Sequence, residues 1–455
     1  MRPGLHGHRF VLCLLTLALW LEMNAGCEIT TFGNLVTTGT TGGGTGGGGT
    51  SSAPHLLGSS FLVASSALAQ SQPAVGYFDH DPLSGRRYAA AWIETDANSQ
   101  NSSVRCRQVI IAASGIVTGS AVAVLTTTQV IARAPAVTSL IEAGRITAVI
   151  VWQQATVSTG GQGRATIAAR NVTRNGDELS LGGGPQTVSG EAFEAFAPAI
   201  ASAGTTLCLT VFLERTATQA PRLRGRMLGA SGQPLGSDSF VIDQTDVSLA
   251  VRPAVAFNNR TGEFLVIWTG GASNNTNIRA SIVAASPTAA GPKLSPFTVV
   301  ASNSTRVPFG PQVAYNTARQ EYLAVWRENG TGVTTRIARQ KLDNAGAVPA
   351  SSATFNLSGD RQSADKPVLA YGSALNQFLV AWQDNATSGG TPDIRGRLLL
   401  YDANLNVIEG DDFSIATGTP QQTDPAVAFD SASNDWLVLY VEGTTLRGQR
   451  VKPSA

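Results

Sequence analysis

A proline-led phrase that returns seven times constrains this 455-residue chain more than any other feature of its sequence. It reads PAVGYF from Pro73, PAVAFN from Pro253 and PAVAFD from Pro425. Successive prolines lie 55 to 63 residues apart, a spacing typical of a four-stranded propeller blade with its loops. The sequence therefore predicts an all-β fold, a single seven-bladed β-propeller of four-stranded antiparallel blades. The prolines that open repeats one to seven are Pro73, Pro135, Pro198, Pro253, Pro311, Pro367 and Pro425.

Each repeat contains the same succession of strand patterns. Apolar and polar residues alternate after the proline, which opens a strand where no ladder donor is needed. A polar turn and a continuous apolar run follow, such as FLVIW from Phe264, and a strand that is apolar on both faces must be covered on both faces. We expect the aromatic residue that ends each run to pack between blades rather than to stack on a sugar. These residues are Trp92, Trp152, Phe212, Trp268, Trp326, Trp382 and Tyr440.

The fourth strand of the last repeat is missing from its expected place, because the chain reaches Ala455 soon after the third strand, LRGQRV. A matching segment lies before the first repeat. Residues 59–64, SSFLVA, resemble the fourth-strand sequence SFVI that begins at Ser239. The sequence therefore predicts that the N-terminal strand completes the last blade and closes the ring, which removes the exposed edges of an open array.

An acidic residue two positions after the second-strand aromatic recurs together with an arginine in the third strand. A hairpin joins these two strands, so the two columns face each other across the ladder. The pattern predicts cross-strand ion pairs, with a ring of anion-binding arginines as the alternative. The pairs are Glu94 with Arg105, Glu214 with Arg224, Asp384 with Arg395 and Glu442 with Arg447.

The first 26 residues have the pattern of an export signal. Arg2 and Arg9 accompany the apolar run VLCLLTLALWL, which is too short to span a membrane. The sequence AGC that ends at Cys27 resembles the bacterial lipobox, although Asn24 stands where that pattern prefers an aliphatic residue. The resemblance implies that Cys27 is diacylated and becomes the N-terminus. Ordinary signal cleavage is the alternative.

These patterns divide the chain into three segments. We expect a signal peptide over 1–26, a lipid-anchor cysteine with a Gly/Thr-rich flexible tether over 27–57, and the propeller over 58–455. The protein would then be exported and held at the outer membrane or cell surface as a lipoprotein. A periplasmic or secreted protein is the alternative.

Composition narrows the range of partners. The formal net charge is +1 and only 14% of residues are charged, with no basic stripe, so we expect no nucleic-acid partner. Cys106 and Cys208 fall in repeats one and three, which a propeller keeps apart. The sequence therefore predicts two free, buried thiols.

Motifs that carry catalysis or bind metal ions are absent from the sequence. No HExxH, P-loop, GxSxG, calcium-binding DxDxDG or sialidase-type SxDxGxTW motif occurs. His80 lies between Asp79 and Asp81, an arrangement that a solvated turn explains better than a metal site. The sequence thus predicts no catalytic residue, no metal and no cofactor.

Carboxylates keep one enzymatic alternative open, since a glycosidase needs only two of them across a cleft. That alternative is a carboxylate-dependent polysaccharide hydrolase or lyase. The acidic candidates that the repeat pattern does not explain are Glu191, Glu194, Asp360, Asp365, Asp411 and Asp412.

The phrase P-A-V-A-[FY]…[FY]-L-V-x-W…[IL]-R-G-R resembles repeats of large exported bacterial proteins, including lipoproteins, over residues 58–453. The resemblance implies a seven-bladed propeller and no particular activity. We expect a monomeric, non-enzymatic binding or scaffold module that is tethered to the membrane through its lipid alone. It would bind an envelope protein or glycan through loops at one propeller face, and a structural envelope lipoprotein is a further alternative. The longest loops are predicted at 93–103, 153–165 and 382–393, with a polar tip at 271–277.

Overall fold

The alternating and continuous apolar runs of the repeats become strands in a computed structural model of the chain. The structure describes residues 55–453 apart from short gaps at 82–84, 97–100, 113, 116, 128, 143–144, 159–160, 191–192, 205, 216–219, 249–250, 273–274, 289–290, 304, 331–332, 351, 360–362, 386–389 and 403–405. The described residues form strands and turns, so the fold is all-β, and none of them belongs to a helix that could span a membrane. Residues 1–54, with the predicted signal, Cys27 and most of the tether, lie outside the described residues.

The strands follow the chain in repeat order. Strands β1 to β6 are His55–Ala64, Ala69–Asp81, Gly85–Thr95, Ser102–Ile111, Val117–Gly119 and Ala123–Val124. Strands β7 to β12 are Val130–Glu142, Arg145–Ser158, Gly161–Gln162, Thr166–Asn175, Glu178–Leu181 and Gln186–Thr187. Strands β13 to β20 are Glu194–Ser202, Leu207–Arg215, Arg222–Gly229, Phe240–Asp243, Ala254–Asn258, Glu263–Ala272, Asn275–Ala284 and Phe297–Val300. Strands β21 to β31 are Arg306–Asn316, Glu321–Gly330, Val333–Leu342, Phe355–Asn356, Ala364–Gly372, Gln377–Asp384, Asp393–Tyr401, Val407–Ala416, Gln422–Asp430, Asp435–Glu442 and Thr445–Lys452.

Repeats three to six each form a four-stranded antiparallel sheet in sequence order, from β13–β16 to β25–β28. The strands of repeat seven form a sheet in the order β1-β31-β30-β29. The first strand of each repeat contacts the first strand of the next, and β2 of repeat one contacts β29 of repeat seven. The first strands therefore neighbour one another from repeat one through repeat seven and back to repeat one.

Repeats one and two differ from the predicted separate four-stranded units, because they share a single 11-stranded sheet. The join is one parallel bridge between Ser102 of β4 and Ile131 of β7. The Ser102 hydroxyl reinforces it by donating to the Ala132 carbonyl and accepting from the Ala132 N–H, both at 2.8 Å. On either side of this bridge the strands are antiparallel, so each half keeps the order of one repeat. The fourth strand of repeat two is short, because β12 has only two residues where it pairs with β10.

The core consists of seven clusters of buried apolar side chains, and each cluster joins strands of two neighbouring repeats. The aromatic residue that ends the second strand of each repeat lies in a different cluster, and all seven are at most 1% exposed. Their predicted packing between repeats is confirmed. The cluster around Trp92 joins repeat one to Leu437 and Leu446 of repeat seven and to Val63 of β1.

The pairing of β1 with β31 confirms that the N-terminal strand supplies the fourth strand of the last sheet. Phe61 pairs with Gly448, as Phe240 pairs with Gly225 in repeat three. A Cβ atom placed on either glycine would lie 2.6 Å from Cζ of the facing phenylalanine. The glycine of the LRG sequence therefore makes room for the fourth-strand ring, which gives the sequence match a steric cause. The sheet begins at His55, three residues before the predicted domain boundary.

Neighbouring residues of β1 point to opposite faces, which allows a matched test of this strand. Phe61 packs against the cluster around Trp92, whereas Leu62 is 52% exposed. We expect Phe61→Ala to lower the free energy of unfolding by about 2–4 kcal/mol, because it leaves a cavity beside Gly448. Leu62→Ala, as the control, should change it by less than about 0.5 kcal/mol. Urea denaturation measures both, and equal effects of the two substitutions would contradict the role of β1 in the core.

Candidate functional site

The residue before the repeat proline has an unusual backbone conformation. It has φ between +48° and +63° in six of the seven repeats. The register shifts there, so that two residues of the first strand oppose one of the second, which is the geometry of a β-bulge. Left-handed backbone costs an L-residue about 1–2 kcal/mol, so the surrounding ladder must enforce it. The six residues are Gln72, Ala134, Ala197, Gly310, Lys366 and Asp424.

The residues before all seven repeat prolines, six of them in bulges, line one cavity of about 620 Å³. The fourth repeat contributes Arg252, which precedes its proline without a positive φ. The proline returns in every repeat, but the residue before it is a glutamine, an alanine, an arginine, a glycine, a lysine or an aspartate. The scaffold of the cavity is therefore repeated while its side chains are not. This combination is what a binding site on a repeat protein requires.

Hydrogen bonds link neighbouring bulges around part of the cavity. The Gln72 N–H donates to Oδ2 of Asp424 at 3.3 Å, and Oε1 of Gln72 accepts from the Ala134 N–H at 2.6 Å. Lys366 Nζ forms an ion pair with Asp424, while the Lys366 N–H donates to Oδ1 of Asp365 at 2.8 Å. Side chains of one repeat thus satisfy the backbone of the next, which fixes the rim of the cavity.

Ion pairs occupy most of the charges in the cavity. Arg327 pairs with Asp365 at 2.8 Å, and its guanidinium also lies 5.4 Å from the centre of the Phe309 ring. Lys366 pairs with Asp424. The lining holds three cations and these two carboxylates, so Arg252 is left as the charge without a counterion.

Arg252 reaches across the cavity from repeat four to repeat two. Its Nη2 donates to the carbonyl oxygen of Pro135 at 3.2 Å, and Ala197 of the intervening repeat is small enough to leave this path open. No carboxylate of the described residues lies within 4.0 Å of the guanidinium. Burial lowers the pKa of Arg252 to about 10, so the group is still protonated at pH 7.

The loops predicted to be long lie at the same end of the sheets as the cavity. The start of each first strand pairs with the end of the second strand, as Gln70 pairs with Glu94, and the loop to the third strand leaves from there. Two of the predicted loops are shorter than expected, because β3 continues to Thr95 and β26 to Asp384. Within 153–165, β8 instead extends to Ser158 and pairs with the short strand β9.

Of the six acidic candidates, only Asp365 lines the cavity. Glu194 pairs with Arg215 at the surface, Asp412 pairs with Arg395 at 2.7 Å, and Asp411 is exposed. Glu191 and Asp360 lie outside the described residues.

Asp79, beside His80 in β2, pairs with Arg174 at 2.7 Å. Across the described part of the chain, no group of three or more His, Cys, Asp or Glu side chains is arranged to hold a metal ion.

The predicted cross-strand ion pairs are confirmed in repeats one, three, six and seven, with N–O distances of 2.7, 3.4, 3.7 and 3.2 Å. The sequence pattern missed a fifth pair, because Glu328 contacts Arg336 at 2.7 Å, two residues before the expected position. Cys106 and Cys208 are free and buried, as predicted. Burial raises the pKa of Cys106 to about 12, so its thiol is protonated at neutral pH.

The sequence analysis singled out Asp365 among the polar and charged residues of the cavity and missed six others, which are Gln72, Arg252, Gln312, Arg327, Lys366 and Asp424. Five of these six flank a repeat proline: four directly precede it, and Gln312 follows Pro311 where five repeats have alanine. A comparison of the seven repeats at these two columns would have found these five.

No protein-family profile matches the chain, and no curated protein matches it. Several solved structures are similar to parts of it. A protein of unknown function from Dyadobacter fermentans is 15% identical, with a TM-score of 0.46 over 72% of this chain and 96% of that one. A β-xylosidase/α-arabinofuranosidase from a compost microbial metagenome is 13% identical, with a TM-score of 0.36 over 62% of this chain and 95% of that one. The NanB sialidase of Streptococcus pneumoniae is 10% identical, with a TM-score of 0.46 over 86% of this chain and 70% of that one.

The desolvated charge of Arg252 predicts an unusual stability effect. We expect Arg252→Met to raise the free energy of unfolding at pH 7 by about 1 kcal/mol, because it removes a cation that burial disfavours and no carboxylate offsets. The folded pKa lies below the unfolded one, so this gain should shrink as the pH rises through about 10. Urea denaturation at several pH values measures it.

Arg327→Met is the matched control in the same cavity. It removes the ion pair with Asp365 and the contact with Phe309, so we expect the free energy of unfolding to fall by about 1 kcal/mol.

An Arg252→Met variant that is less stable than the wild type at pH 7 would contradict the prediction, because it would show that the folded protein compensates the charge of Arg252.

Proposed function

We propose that the chain is an exported, membrane-tethered seven-bladed β-propeller that acts without catalysis and binds an envelope glycan in the cavity before the repeat prolines. The observation that carries the proposal is the contrast between the repeated backbone of this cavity and its non-repeated side chains. Side chains that serve only packing repeat from sheet to sheet, as the second-strand aromatic does. A set that includes glutamine, alanine, arginine, glycine, lysine and aspartate at equivalent positions is suited to an asymmetric ligand.

Contacts between neighbouring repeats support the propeller. Each of the seven apolar clusters joins two consecutive repeats, and the one around Trp92 joins the seventh to the first. The first strands neighbour each other in the same cyclic order. In the proposed propeller, the shared sheet of repeats one and two counts as two blades, and the pairing of β1 with β31 supports closure of the ring.

The chemistry of the lining favours a polar ligand such as a glycan. Arg252 and Gln312 offer hydrogen-bonding groups, and the partly exposed Pro73, Val251 and Val368 add apolar surface against which the carbon face of a sugar ring can pack. The cavity has the size of a small-molecule site. A protein partner contacting the surrounding loops is the alternative within the same function.

A polysaccharide hydrolase or lyase is the second candidate, because two carboxylates line the same cavity. Lys366 contacts both of them: its backbone N–H donates to Asp365, and its Nζ forms an ion pair with Asp424. Against catalysis, each carboxylate is held in an ion pair, with Arg327 and Lys366 respectively. Release of reducing ends from envelope polysaccharide by the wild type, and its loss in Asp365→Asn, would favour the hydrolase.

A cavity-filling substitution tests the binding proposal. We expect Ala197→Trp to weaken binding of solubilised envelope polysaccharide at least roughly tenfold, because the indole occupies the space that the ligand needs. Ala318→Trp is the control, since this exposed residue lies in the β21–β22 turn at the other end of the sheet. Biolayer interferometry measures binding, and thermal denaturation confirms that both variants fold. Equal binding by both variants would place the ligand outside the cavity.

A second substitution tests the tether. We expect Cys27→Ser to move the protein from the membrane fraction to the soluble fraction, because the acyl chains are its proposed anchor. Mass spectrometry of the N-terminal peptide measures the lipid directly. An unmodified N-terminus on the wild-type protein would support ordinary signal cleavage.

A further inference from the structure

We propose that Arg252 is the carboxylate-binding residue of the cavity and that the ligand is an acidic glycan containing hexuronic acid. This inference rests on the proposed glycan-binding function and adds the chemical class of the sugar. The structural feature behind it is a guanidinium that spans the cavity with one hydrogen bond and no counterion among the described residues.

The donors of Arg252 exceed the acceptors that the protein supplies. A guanidinium has five N–H groups, and the described residues accept one of them, at the Pro135 carbonyl. This single contact fixes the direction of the side chain without neutralising it. Arg252 is partly buried at the cavity wall, and this burial lowers its pKa. A charge in such a position attracts an anion more strongly than one at an open surface, because water screens it less.

The other cations of the lining are not equivalent to Arg252. Arg327 lies against Asp365 and Phe309, and Lys366 lies against Asp424. A ligand anion would have to displace a carboxylate to bind either of them. Arg252 can accept an anion without breaking an ion pair.

The charge balance favours a carboxylate over a phosphate. The lining has one cation more than it has carboxylates, which matches a monoanion. A phosphate monoester carries close to two negative charges at pH 7, and Asp365 and Asp424 would repel the second. A carboxylate also presents two oxygens that an arginine binds through two parallel hydrogen bonds.

The rest of the lining favours a sugar as the carrier of this carboxylate. Gln312 replaces the alanine of five other repeats, and its amide makes no hydrogen bond with the described part of the chain. An amide both donates and accepts, as sugar hydroxyls do. Pro73 and Val251, which are partly exposed, add apolar surface to the same cavity. A uronic acid combines these features in one ring: hydroxyls, a carbon face and one carboxylate.

A pair of ligands that differ only in charge tests the inference. The probes are the methyl glycoside of D-galacturonic acid, which carries one carboxylate, and its methyl ester, which keeps the ring and its hydroxyls but removes the charge. We expect the wild-type protein to bind the acid roughly 10- to 100-fold more tightly than the ester, as measured by isothermal titration calorimetry. The difference should decrease as the salt concentration rises.

Two variants test whether Arg252 causes the preference for the acid over the ester. Arg252→Gln should weaken binding of the acid roughly 10- to 100-fold and abolish the preference over the ester. Arg133→Gln is the matched control, because Arg133 is exposed and does not line the cavity, and it should bind like the wild type. The ligand pair keeps the test valid with the wild-type protein alone, whatever the stability of the variants.

Three results would overturn the inference. Equal affinity of the wild type for the acid and the ester would rule out a carboxylate-binding site but would leave the proposal of glycan binding in place. A preference for the acid that survives in Arg252→Gln would show that another residue binds the carboxylate. Tighter binding of a peptide with a free C-terminal carboxylate than of either sugar would show that Arg252 binds a carboxylate but that the ligand is not a glycan. Failure of the proposed function is a separate result, in which Ala197→Trp binds envelope polysaccharide as the wild type does.

Discussion

The packing of one second-strand aromatic residue between each pair of neighbouring repeats is the interaction on which the rest of the structure depends. Every second strand is apolar on both faces, so no sheet can be stable without a sheet on either side of it. The aromatic side chains are at most 1% exposed and lie in seven separate clusters. Because each cluster uses residues of two repeats, removing one repeat would expose two cores. This mutual dependence explains why β1, far from the last repeat in sequence, must pair with β31: without it, the cluster around Trp92 loses Val63 and Ala64.

A second constraint acts near the start of the first strand of each repeat, where the repeat proline lies. The proline has no N–H to give to the ladder, and the bulge places it where none is required. The preceding residue then takes the left-handed conformation, including at Ala134 and Ala197, which do not favour it. The repeat thus maintains local strain at five points around one cavity, since glycine at the sixth adopts this conformation freely, and the stable inter-repeat cores allow it to do so. The same backbone geometry leaves the side chain at each of these points free to vary.

The sequence predicted the features that depend on a repeated pattern. The buried aromatic residues, the free cysteines, four cross-strand ion pairs and the pairing of β1 all follow from columns that recur along the chain. It did not predict the bulges, because the φ of Gln72 or Lys366 is set by the register of the ladder and not by the residue itself. It did not predict the bridge at Ser102 either, which depends on one local contact between repeats one and two. The cavity was missed for a related reason: its residues lie up to 352 positions apart, as Gln72 and Asp424 do.

The same reasoning explains how a symmetric scaffold obtains an asymmetric site. Identical residues at the seven positions before the prolines would give a ring of like charges or of small side chains, and neither would orient a ligand. The chain instead places its polar and charged residues in repeats one, four, six and seven and leaves alanines in repeats two and three. Repeat three lies between Arg252 and the Pro135 carbonyl that it contacts, and its residue in the cavity is the small Ala197. The small residues of the cavity are therefore part of the arrangement that exposes one uncompensated charge, and that charge persists at a cost in stability which packing alone would not require.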